Sequence, residues 1–106
     1  MRKRRISIHR EEYVPMVDAL VELRHRAGLT QTVLAQRMKR SQGFISGIEG
    51  KDRRVDLLQA WDWCQACGVG MADLGKLVDR ALAKMQARLS SEWNTTERAT
   101  KRRAPR

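Results

Sequence analysis

The stretch from Gly28 to Gly50 is cut at short intervals by residues that start and stop helices. Thr30 and Ser41 are hydroxyl side chains suited to accept from the free N–H groups of a first helical turn. After each, apolar residues recur at helical spacing for about eight residues: Val33, Leu34 and Met38 with Ala35 allowing close approach, then Phe44, Ile45 and Ile48. Gly50 reads as a left-handed stop. The pattern predicts two short helices, the second over 42–49, joined by a tight turn.

The flanking segments continue in the same mode. Met16, Val17, Leu20, Val21 and Leu23 form a stripe that ends at Gly28, and Pro15 is tolerated in a first turn, so the first helix begins near residues 12–14. Asp56 is a candidate cap for a fourth helix with Leu57, Leu58, Trp61 and Cys64 facing inward, closed by Gly68 and Gly70. Asp73 is a candidate cap for a fifth, long helix in which Leu74, Leu77, Val78, Ala81, Leu82, Met85 and Leu89 recur at intervals of three and four. No strand-length alternation flanked by hairpin signals appears. The expected fold is all-α, with five helices.

Charge then separates function classes. The 106 residues carry a formal charge of +10. Arg2, Lys3, Arg4, Arg5 and Arg10 stand at one end without an acid among the first ten residues, and Arg98, Lys101, Arg102, Arg103 and Arg106 stand at the other. The ten bases of the two ends equal the whole net charge, so the segment between them is neutral in total. Within that segment, residues 24–54 hold eight bases against Glu49 and Asp52, a surplus of +6. Basic excess at both ends and in one internal block favours an anionic partner, with nucleic acid ahead of a membrane surface because the tails lack interleaved aromatic or leucine anchors. No apolar run approaches the roughly 18 residues of a membrane helix, and the basic start lacks the apolar region of a secretory signal. The expected location is cytoplasmic and nucleoid-associated.

The segment LRHRAGLTQTVLAQRMKRSQGFISGIEGKDRRVDLLQAWDWCQACGV, from Leu23 to Val69, resembles the helix-turn-helix domain of the Cro and CI phage repressor family, also called the XRE family. The GLTQ start, the LA pair in the first motif helix, the SQ pair opening the next and the IS..IE pattern all have counterparts. The resemblance extends from about Val17 to Leu77. It implies a five-helix, lambda-repressor-like domain with the helix over 42–49 in the major groove of double-stranded DNA. By family position, Gln31 is the phosphate-contacting glutamine and Gln42 the first base-reading residue, able to present its amide to adenine N6 and N7. Ser46 and Phe44 are further contacts, Phe44 either touching a thymine methyl or wedging between helices. Members often carry a long polar residue where this chain has Gly47, and Gly43 also lacks a side chain, so direct readout is sparse. The family glycine falls where this chain has Lys51. Lys51, Arg53 and Arg54 are expected phosphate clamps, with Lys39, Arg40 and Ser41 contributing from the turn. Arg2 to Arg5 form an arm suited to the minor groove.

The resulting organisation is a basic arm over 1–10, a DNA-binding domain over 11–72, a helix over 73–92 and a basic tail over 93–106. Leu74, Leu77, Val78, Ala81, Leu82 and Met85 either close the monomer core or form a seam for a homodimer. The dimer is favoured because pairing places two recognition helices roughly 34 Å apart on a palindromic operator. The last helix and basic tail are also candidates for a protein partner, as in an antitoxin or adaptor. A third alternative is a non-specific architectural DNA protein. Cys64 and Cys67 lie inside a helix rather than at its start and read as packing residues. His9 and His25 lack metal-ligand spacing, and neither a paired-acid cleft nor a phosphate-cradling glycine loop is present. Neither catalysis nor a cofactor is expected; the function is that of a sequence-specific transcriptional regulator, in the sense of a repressor.

Overall fold

The computed structural model describes residues 10–100, with side chains through residue 89. Five helices follow one another: α1 (Tyr13–Arg26), α2 (Gln31–Met38), α3 (Gln42–Glu49), α4 (Leu57–Cys67) and α5 (Met71–Thr100). Among the described residues there is no strand, and no helix is long and apolar enough to cross a membrane.

α1 is the central element, packed against α3, α4 and α5, while α2 lies across α3 and α4. Tyr13, Val17, Leu20 and Leu23 recur at three and four residues and are buried, leaving Met16 on the exposed side. Thr30 Oγ1 accepts from Val33 N at 3.1 Å and Ser41 Oγ from Phe44 N at 3.1 Å, so both hydroxyls cap their helices as their positions suggest. The buried faces of these short helices, Leu34 and Ala35 against Phe44, Ile45 and Ile48, meet in the core shared with α1. That packing supplies the stability an isolated eight-residue helix lacks.

α4 departs from the expected orientation. Asp56 caps it in a full capping box, Oδ1 accepting from Gln59 N at 2.7 Å while Gln59 Oε1 accepts from Asp56 N at 3.0 Å. The inward stripe is Ala60, Trp63, Cys64 and Cys67, and of the four residues expected to face inward only Cys64 does. Trp63 fills the centre of the core with its indole Nε1 donating to the Leu20 carbonyl at 3.0 Å. Small residues at 60 and 64 bring α4 close beside it. Leu57, Leu58 and Trp61 are consequently left in solvent.

α5 begins at Met71, two residues before the expected cap. Asp73 is in the first turn and reaches back to accept from Gly70 N at 2.9 Å. Leu74 and Leu77 join the common core, Met85 is also buried and Val78 packs against the core, so most of the seam assigned to pairing is spent within one chain. Ala81 and Leu82 remain half-buried. The helix continues to Thr100, so the tail expected from residue 93 is helical over 93–100. The arm residues Arg2, Lys3, Arg4 and Arg5 and the tail over 101–106 lie outside the described residues.

Cys64 and Cys67 are both free thiols and both buried, in agreement with a packing role. Burial, reinforced by the neighbouring Cys64, pushes the Cys67 thiol up to about 11, and burial together with Asp73 raises Cys64. The folded state thus holds protons that the unfolded chain releases near pH 9. Stability from this source is complete below pH 9 and is lost as pH rises toward 11. Thermal melts across that window are expected to show a falling midpoint, and Cys67→Ala should flatten the decline. At pH 7, both thiols should resist alkylation until denaturant is added.

Candidate nucleic-acid interface

A chain of polar contacts links α1, α2 and α3. Arg24, in the last turn of α1, is buried and meets Glu49, the last residue of α3, in a two-pronged pair: Nε to Oε2 at 2.6 Å and Nη2 to Oε1 at 3.0 Å. Its Nη1 donates to the Leu29 carbonyl at 2.8 Å, fixing the α1–α2 connection. Gln31, the first residue of α2, donates from Nε2 to Glu49 Oε1 at 2.8 Å. Gln42, the first residue of α3, donates from Nε2 to Gln31 Oε1 at 2.7 Å. Each donor in this series has an acceptor whose own position is set by the next residue inward.

The chemistry at the outer end follows from that sequence of bonds. A glutamine amide has two N–H donors and one carbonyl acceptor. Gln42 spends one donor on Gln31, leaving a donor and an acceptor side by side at the exposed N-terminus of α3. That pair is complementary to adenine N7 and N6. Gln31 is half-buried at the N-terminus of α2, where unpaired backbone N–H groups favour an anion.

The cations surround these ends. Lys39 and Arg40 are exposed in the α2–α3 turn, and Arg53 and Arg54 are exposed beyond α3; none of the four makes a salt bridge with another described residue. Lys51 differs from them, because its Nζ lies 3.2 Å from Asp18 Oδ1 on α1. An exposed pair of this kind is worth little and is readily exchanged for a phosphate.

Phe44 is 5% exposed, which selects the wedge over the thymine contact. Its ring carries the Arg40 guanidinium carbon 4.3 Å from its centroid and that of Arg53 at 5.0 Å. The phenyl group therefore belongs to the core and organises two cations at its rim. Ser46 Oγ donates to the Gly43 carbonyl at 3.2 Å, while Gly43 itself is open to solvent.

The turn after α3 also differs from expectation. Gly50 has ordinary right-handed helical dihedrals, and the left-handed position is Lys51 with φ of 65°. The Gly47 carbonyl accepts from Asp52 N at 2.9 Å and Arg53 N at 3.1 Å, folding the loop back over α3. A Cβ at Gly47 would lie 3.6 Å from Arg53, an ordinary contact, so the arginine passes beside this position without requiring a glycine there. Tyr13 Oη secures the far end, donating to the Arg53 carbonyl at 3.0 Å and accepting from Val55 N at 2.9 Å.

The structure thus gathers Gln31, Lys39, Arg40, Ser41, Gln42, Gly43, Ser46, Gly47, Lys51, Arg53 and Arg54 on or beside α2, α3 and their two turns. Arg24, Glu49 and Tyr13 were not among the residues expected from sequence. Pairs 25 and 40 residues apart leave no local periodicity to read.

An XRE-family like protein from Pseudomonas syringae pv. tomato str. DC3000 is similar to this chain at 35% identity, over 73% of this chain and 90% of that one, with a TM-score of 0.60. The clp gene regulator ClgR from Corynebacterium glutamicum shares the fold at 23% identity and a TM-score of 0.67, covering 86% of this chain and 96% of its own. The restriction-modification controller protein C.Esp1396I does so at 17% identity and a TM-score of 0.67, covering 71% and 99% respectively. No protein-family model matches the sequence, and no curated protein matches it significantly.

Breaking the Arg24–Glu49 pair from one side leaves an uncompensated buried charge, which typically costs about 3–5 kcal/mol. Glu49→Leu should lower unfolding free energy by about 3 kcal/mol in urea titrations. Arg24→Leu combined with Glu49→Leu should recover part of that loss, and strict additivity would refute the coupling.

Proposed function

The chain belongs to the XRE family of helix-turn-helix proteins, and from that premise we propose that it is a sequence-specific, double-stranded DNA-binding transcriptional regulator, acting as a repressor by occupying a promoter. The observation that carries the reading is the Glu49–Gln31–Gln42 series, which fixes an outward-facing amide among four cations without ion-pair partners among the described residues.

The division of labour follows from the chemistry of each group. Gln31 and the N-terminus of α2 hold one phosphate, and α3 enters the major groove with Gln42 against an adenine edge. Lys39, Arg40, Arg53 and Arg54 contact phosphates to either side, with Lys51 released from Asp18 to join them. Such contacts set register and supply salt-sensitive affinity without reading sequence. Ser46 and the side-chain-free surface at Gly43 and Gly47 let the α3 backbone approach the bases. Arg2, Lys3, Arg4 and Arg5 are assigned to the adjacent minor groove. The protein acts as a homodimer on a palindromic operator, in the cytoplasm and associated with the nucleoid.

Selection of bound sequences from a random duplex pool tests specificity directly, and a palindromic product is expected. Equal affinity for selected and random duplexes at matched salt would overturn the assignment. Against the selected duplex, Gln42→Ala should relax preference at one base position in each half-site, by about 1–3 kcal/mol per position. Arg53→Ala should instead weaken all duplexes alike and lower the slope of log affinity against log salt by about one for each copy bound.

A further inference from the structure

Where the end of α1, the α4–α5 connection and the first turns of α5 meet, the surface sinks into a cleft of about 250 Å³. Its floor is the outer side of three buried residues, Leu23, Cys67 and Leu77. Its rim carries Arg26 from α1 and Lys76 and Arg80 from α5, all exposed, against one acid, Asp73. None of the lining residues belongs to α2 or α3, so the DNA-binding reading makes no use of the cleft. We propose that it is a binding site for a small aromatic carboxylate, a monoanion of the size of benzoate. Lys76 and Arg80 hold the carboxylate, and the ring lies over Leu23, Cys67 and Leu77.

The arrangement of charge selects an anion. Lys76 and Arg80 stand four residues apart on α5, where side chains share a face and two like charges repel. Neither makes a salt bridge with another described residue, so an anion between them relieves a repulsion that the described chain leaves in place. Asp73 is spent otherwise, its Oδ2 accepting from Gly70 N at 2.9 Å at the start of the same helix. The Cys67 thiol, pushed up to about 11 by burial, is neutral at pH 7 and adds no opposing charge to the floor.

The floor and the volume select the rest of the ligand. A purely polar ion would leave the apolar floor in water, and a purely apolar molecule would leave the rim bases unpaired, so a ligand with both parts uses the whole cleft. A cavity of roughly 150 Å³ admits benzene, and drug-sized ligands occupy roughly 300–1,000 Å³. At about 250 Å³ the cleft therefore suits one ring bearing a carboxylate. The C-terminal ends of α1 and α4 carry partial negative charge, which turns the carboxylate toward α5 and the ring toward those ends. Arg26, paired with Glu22 in its own helix, lines the α1 wall, and a guanidinium beside the ring favours an aromatic body over an aliphatic one.

Titration of the full, isotope-labelled chain with benzoate, followed by amide chemical shifts, tests this without nucleic acid. The expected result is a saturable, single-site change centred on Ala27, Val69 and Lys76, with a Kd of about 1 mM or tighter. Acetate, which has the carboxylate without the ring, and benzyl alcohol, which has the ring without the charge, should each bind about tenfold more weakly or worse. Lys76→Gln combined with Arg80→Gln should weaken benzoate binding by about tenfold while helicity and thermal midpoint are retained, since both side chains are exposed. Lys76→Arg should keep the affinity. Shifts that do not saturate or that centre elsewhere, acetate or benzyl alcohol binding as tightly as benzoate, or undiminished affinity in the double variant would overturn the proposal.

Discussion

The Arg24–Glu49 pair is the interaction on which the geometry of the surface formed by α2 and α3 depends. It joins the end of α1 to the end of α3, and the same guanidinium holds the α1–α2 connection through Leu29. Glu49 then orients Gln31, and Gln31 orients Gln42. A buried ion pair is a poor source of net stability because desolvation offsets much of the attraction. Its value here lies in geometry: three helix ends are tied to one carboxylate, so the Gln42 amide is held in place, and in the proposed role it is set before any nucleic acid arrives. Such preorganisation lowers the ordering cost of binding.

Strain is accepted at two positions on this same surface. Lys39 and Lys51 both adopt left-handed backbone conformations, with φ of 59° and 65°. A side chain in that region costs on the order of 1–2 kcal/mol relative to the right-handed alternative, and glycine would avoid the steric term. The turns that need the conformation are the ones flanking α3, where the proposed function places a cation against phosphate. The chain holds a positive charge at each of these turns at some expense in stability, a pattern expected where function and folding compete.

The fold was largely legible because its signals are local. Thr30, Ser41 and Asp56 announce helix starts by their own chemistry, and the stripes of α1 and α3 identify the right buried faces. α4 departs from its sequence pattern because Trp61 and Trp63 compete for the interior, and hydrophobicity alone favours the stripe that contains Leu57 and Leu58. What decides is shape and hydrogen bonding: the small Ala60 and Cys64 let the helix approach, and Trp63 finds the Leu20 carbonyl. The site was legible in part for the same reason. Gln31 and Gln42 carry a family pattern, whereas Arg24, Glu49 and Tyr13 act through contacts between residues far apart in sequence. Phe44 is ambiguous in sequence, since an aromatic at the third position of a short helix can face either way, and its burial resolves it.

The sparse outer face of α3 explains why one copy of this domain is insufficient for the proposed role. Of its eight residues, Phe44, Ile45 and Ile48 belong to the core and Glu49 to the clamp, which leaves Gln42, Gly43, Ser46 and Gly47 toward the groove. One good two-pronged base contact discriminates by about 1–3 kcal/mol, against the roughly 4–10 kcal/mol that separates specific from non-specific binding in typical regulators. A second Gln42 doubles the direct term, and the sequence-dependent shape of the duplex between the half-sites adds a further one. In the proposed homodimer that sum is available only where both half-sites are present at the right spacing.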